Sequence, residues 1–135
     1  MRDRPHRRLR CSTVPLAYHI NEKNKLVVIT GDYAEPAEWS GLLGRVRTDP
    51  RLKPGFGFIR DLRYSSHPVD AQAVMGILAV VRQMWTALGV RRAALVTRPG
   101  IDIPASIAHA LAEDENMPLR AFSSYDDAVA WLEEE

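Results

Sequence analysis

Leu16-Ala17-Tyr18-His19-Ile20 alternates as a half-buried strand does, and Leu26-Val27-Val28-Ile29-Thr30 is a second, β-branched strand. The polar turn residues Asn21 to Asn24 between them predict an antiparallel hairpin. Pro36 suits the first turn of a helix, where its missing N–H costs nothing, and Trp39, Leu42, Leu43 and Val46 recur at helical spacing to give that helix an apolar face. Asp49-Pro50 ends it. Lys53-Pro54-Gly55 then turns the chain into a strand over Phe56–Leu62.

A second helix is predicted from about Pro68 to Leu88, with Gly89 as its C-cap residue. Val69, Ala73, Ile77, Val80, Met84 and Leu88 form one stripe on it, and Met75, Leu78, Ala79 and Trp85 form another. One stripe suffices to cover a sheet. The second is either buried against the first helix or the hairpin, or it is a surface for self-association through Met75, Leu78 and Trp85. Ala93 to Thr97 is the fourth strand, closed by Pro99-Gly100. Pro104 to about Glu115 is a third helix, and Leu119-Arg120-Ala121-Phe122 is the last strand. Ser124 followed by Asp127 opens a final helix docked by Ala128, Trp131 and Leu132, with Glu133–Glu135 fraying at an unfavourable dipole end. The order ββαβαβαβα predicts an α/β fold: a mixed sheet of five strands with parallel crossovers and four helices.

Composition narrows the class without changing that picture. The 135 residues, 46% hydrophobic and 26% charged, fit one domain with one core. No run is long and apolar enough to span a bilayer, and no signal peptide is visible. The single cysteine, Cys11, allows no internal disulfide, which suggests a reducing cytoplasm. Residues 1–14 form a basic tail, and residues 15–135 the domain. Residues 1–10 hold five arginines against Asp3, a net of +4; the whole chain is +1, so the remainder sums to −3. Such a tail is either an untethered start or a contact for nucleic acid or anionic lipid; nucleic acid is not otherwise expected as a partner. His6, His19, His67 and His109 lack metal-ligand spacing, and no cofactor is expected. Gly55-Phe56-Gly57 precedes its strand, the wrong side for dinucleotide binding, and reads as a turn.

Gly31 after the hairpin, Asp61-Leu62-Arg63 ending the central strand, the Ala93-Leu95-Val96 strand, Phe122, and Ala128-x-x-Trp131-Leu132 together resemble the STAS superfamily, named for sulphate transporters and anti-sigma-factor antagonists. The chain is most similar to its stand-alone bacterial branch, the STAS/SEC14-like or sporulation-antagonist-like domains, over about residues 16–133. The resemblance implies a non-enzymatic domain that works by binding partners, proteins above all. In the anti-sigma-factor antagonists a kinase phosphorylates a serine within Asp-Ser-Ser-Gly at the start of the helix after the central strand. Tyr64-Ser65-Ser66-His67-Pro68 keeps the serine pair and lacks the flanking Asp and Gly. Ser65 and Ser66 are therefore candidate phosphorylation sites, and Ser66 or His67 is equally a helix cap.

Ser66-His67-Pro68-x-Asp70 is no catalytic triad, because immediate neighbours around a proline do not converge, and no nucleophile elbow is present. Asp61, Arg63 and Arg98 end adjacent predicted strands on one edge, where open α/β sheets place their sites. They form either an internal salt bridge or a ligand site, and two arginines would favour an anionic group. A small-molecule carrier with its ligand beyond these strand ends is the alternative to a regulatory module.

Overall fold

The computed structural model describes residues 15–32, 35–64, 71–99 and 117–134. Five strands, β1 (Ala17–Asn21), β2 (Leu26–Thr30), β3 (Gly57–Asp61), β4 (Ala93–Val96) and β5 (Leu119–Phe122), make one sheet in the order β1-β2-β3-β4-β5. β1 runs antiparallel to β2 with Ala17 opposite Thr30, as a short polar turn requires. The other pairs are parallel, with Ile59 beside Val28 and Ala94 beside Ile59. The described helices are α1 (Pro36–Thr48), α2 (Ala71–Leu88) and α3 (Tyr125–Glu133). The tail of residues 1–14, the predicted third helix over 104–115, Ser65, Ser66 and the residues before Ala71 lie outside the described residues.

Strand alternation divides the core in two. Val27, Ile29 and Phe58 point to the face where Trp39, Leu42, Leu43 and Val46 of α1 and Leu88 of α2 pack. Leu26, Ile59, Ala94 and Val96 point to the other, under Ala128 and Leu132 of α3. A sheet covered on both sides needs near-continuous apolar strands, which explains why β2 carries no polar residue before Thr30.

The helix ends follow their sequences. Pro36 stands at the start of α1, and the Glu38 carboxylate accepts the Glu35 N–H at 3.2 Å. Asp49, kept extended by the proline after it, caps the other end. Its carboxylate accepts the Tyr18 hydroxyl at 2.9 Å and both Nε and a terminal nitrogen of Arg51 at 3.0 and 2.8 Å, tying β1 to the end of α1. Arg51 hydrogen bonds hold the Asp49 carboxyl well below the usual range. Gly89, at φ +67, closes α2 with its N–H on Thr86 and the Val90 N–H on Trp85, the pairing of a Schellman cap.

Ser124 caps α3 by accepting the Asp127 N–H at 3.2 Å. Arg91 and Arg92 donate to the carbonyls of Leu132 and Trp131, and these two cations offset the negative helix end.

Two glycines of α1 serve no packing purpose. A Cβ at Gly44 would meet nothing within 4 Å, and one at Gly41 only the tip of Arg45 at 3.9 Å. Glycine inside a helix costs about 0.5–1 kcal/mol against alanine, so Gly41→Ala with Gly44→Ala should stabilise the fold by about 1–2 kcal/mol in urea denaturation. A lower midpoint would show that this face of α1 needs its bare backbone.

Candidate functional site

The carboxyl ends of β3 and β4 form the edge that the parallel pairing defines. The Leu62 N–H donates to the Val96 carbonyl and the Thr97 N–H to that of Phe122, so the ladder extends one residue past both strands. Arg63 and Arg98 each lie two residues beyond a paired position, Asp61 beside Val96, and so share this edge. Alternation then sends the side chains of Arg60 and Asp61 to opposite faces of the sheet.

Asp61 turns toward α3, and among the described residues both oxygens of its carboxylate accept from Arg63. Arg63 donates its backbone N–H and its Nε to Oδ1, both at 3.0 Å, and a terminal nitrogen to Oδ2 at 2.9 Å. This is a bidentate fork closed by a turn. Burial would push the Asp61 carboxyl up, but the Arg63 hydrogen bonds and charge outweigh it and hold the group below the usual carboxylate range. The same bonds raise Arg63 in return.

The Arg63 guanidinium lies 4.4 Å from the ring centre of Tyr125, the first residue of α3, and 5.0 Å from that of Tyr64. Burial, then the nearby Asp61 charge, raise the Tyr125 hydroxyl. Tyr64 is 79% exposed, so one side of this cation is roofed by a ring standing in water. Arg98 is exposed at the same edge.

Arg60 was not among the residues singled out from the sequence. Its side chain lies on the α1 face, with the guanidinium 5.1 Å from the Trp39 ring centre. It donates to the carbonyls of Ile29 at 3.4 Å and Asp32 at 3.2 Å. Burial pulls its pKa down to about 10, against the opposing pull of the Asp61 and Asp32 carboxylates. The signal was available: Arg60 shares the parity of Phe58 in a strand buried on both faces, so its charge had to lie inside.

The two-striped α2 resolves differently from a free apolar strip. Leu78 and Trp85 are 6% and 7% exposed within the chain itself, which leaves Met75, at 40%, as the exposed member. Val80, Val81 and Met84 pack on the α1 side of the core, and α1 and α2 touch along their length. Of the two readings of this stripe, Leu78 and Trp85 follow the buried one, since both large side chains gain from leaving water, and Met75 stays on the surface. No described helix is long and apolar enough to cross a membrane.

An open, mostly parallel α/β sheet with an antiparallel hairpin at one edge and a polar carboxyl edge is the class this architecture defines. Its particular form is SpoIIAA-like, the fold that the STAS resemblance implies. The chain is similar to the crystal structure of an uncharacterised DUF3478-family protein with a SpoIIAA-like fold from Shewanella loihica PV-4. The two share 12% sequence identity with a TM-score of 0.55, over 88% of this chain and 93% of that one. No family model matches the sequence, and no curated protein is similar to it.

Proposed function

We propose that this chain is a STAS-type regulatory module of the cytoplasm that binds another protein through the carboxyl edge of its sheet and catalyses nothing. The observation that carries this reading is how the edge spends its polar groups. A general acid or base needs a free lone pair or proton within reach of substrate. Asp61 instead gives both oxygens to Arg63, and the guanidinium is stacked against Tyr125 and Tyr64. Among the described residues the edge offers an incoming molecule the exposed Tyr64, held in place by Arg63, beside the exposed Arg98, and these residue types are enriched where protein partners bind most strongly.

Ser65 and Ser66 follow Tyr64 directly in sequence, so a phosphoryl group on either would add roughly −1.5 to −2 charge within a few residues of Arg63 and change what a partner meets. Affinity capture from the native host, read by mass spectrometry, tests the proposal with three baits: wild type, Tyr64→Ala, and Ser65→Glu with Ser66→Glu. A partner held by wild type should be lost at least tenfold with Tyr64→Ala, a surface change that leaves the fold intact, and the glutamate pair should alter its recovery. Equal recovery by all three baits would move the interface elsewhere. A co-purified small molecule with no protein partner would support instead a carrier whose ligand sits near Arg63 and Arg98.

A further inference from the structure

The opposite, amino-terminal end of the parallel strands carries a second feature. The β1–β2 turn approaches the loop leading into β3, and a cleft of about 450 Å³ opens between them, lined by Glu22, Lys25, Arg51, Lys53, Gly55 and Phe56 among others. Three of its four ionisable side chains are cations, although the domain without its first ten residues sums to −3. Concentrating positive charge in one concavity of an acidic domain creates a local field that attracts anions.

The cleft is firmly built. Asp49 fixes Arg51 through Nε and one terminal nitrogen, leaving its other terminal nitrogen outside that fork. Among the described residues neither Lys25 nor Lys53 joins an ion pair. The Gly57 N–H donates to the Lys25 carbonyl at 2.9 Å, and the Gly55 N–H to that of Gly89 at 2.8 Å, so both walls are anchored to the sheet and to the end of α2. Gly55, at φ +93, adds no side chain to this lining, and the space where a Cβ would stand is open. Phe56, 4% exposed, supplies an apolar floor beside Pro54.

We infer that this cleft, formed by Lys25, Arg51 and Lys53 over Gly55 and Phe56, binds the phosphate group of a small phosphorylated organic molecule. Lysines serve as point charges for phosphate and the anchored arginine gives direction. The volume lies in the range of small-ligand sites and suits a mononucleotide-sized molecule. The site is remote from Asp61 and Arg63 along β3, so it stands or falls independently of the partner-binding edge.

Amide NMR titration of the full chain with adenosine monophosphate, and separately with inorganic phosphate, tests the inference. Adenosine monophosphate should give saturable shifts centred on Lys25, Gly55 and Phe56, and inorganic phosphate weaker shifts at the same amides. Lys25→Gln with Lys53→Gln, two exposed positions, should raise the Kd at least tenfold, and Lys25→Arg with Lys53→Arg should restore it. Arg63→Gln should leave it unchanged. Shifts that never saturate, that centre elsewhere, or that persist unaltered in the double glutamine variant would overturn it.

Discussion

Gly31→Ala should destabilise the protein by about 3–4 kcal/mol, enough to remove a large share of the stability of a domain this size. Gly31 follows β2 at φ +111, where L side chains are strained. An added Cβ would also stand 2.4 Å from the Pro15 carbonyl oxygen and 2.8 Å from the Leu16 Cα, and both are backbone atoms that cannot rotate away. Relief requires β1 to move outward, which loosens the Ala17–Thr30 end of its ladder. Gly55→Ala is the matched control, since φ there is +93 but nothing lies within 4 Å of the new carbon. It should cost only the conformational strain, about 1 kcal/mol. Equal urea midpoints for the two variants would show that crowding at Gly31 contributes nothing.

Asp61→Ala should cost about 2–4 kcal/mol, because it strips the half-buried Arg63 of its fork and its turn at once. The same pair sets a pH dependence. The folded-state pKa of Asp61 is lowered, so its contribution is complete above the unfolded value of about 4 and is lost as pH falls through the folded one. Asp49 acts in the same direction. Urea midpoints of the wild type should therefore fall between about pH 5 and 2, and Asp61→Asn should flatten part of that fall. A variant that parallels wild type throughout the acid range would mean that the fork gives no net stabilisation.

Much of the fold was legible because local signals agreed with one another. Trp39, Leu42, Leu43 and Val46 announce one helix face, and all four are buried. Pro36, Gly89 and Ser124 mark helix ends through geometry that few other residues supply. What stayed open depended on pairings between elements. Both Asp61 and Arg63 were visible as a polar strand end, but a carboxylate and a guanidinium two residues apart read alike as an ion pair or as an open anion site. The turn that brings the Arg63 N–H onto Asp61 shows the ion pair, and sequence spacing alone does not. The α2 stripes were visible too, yet periodicity counts apolar faces without saying what lies opposite them, so burial and an open surface are equally consistent with Leu78 and Trp85 until the packing is seen. The basic cleft escaped altogether. Lys25 and Lys53 are far apart in sequence and meet only because β2 and β3 are neighbours in the sheet.

The placement of α3 also bears on the order in which the chain folds. All five strands precede it, and the Leu26, Ile59, Ala94 and Val96 face that it covers is assembled from segments spread over most of the polypeptide. A folding intermediate in which the strands have paired before α3 docks therefore displays that greasy surface to water. Docking then exchanges water for the carbonyls of Leu132 and Trp131 as the acceptors of Arg91 and Arg92. The rate at which α3 docks thus sets how long that sticky intermediate lives, and a chaperone that recognises exposed aliphatic surface meets its target in that interval.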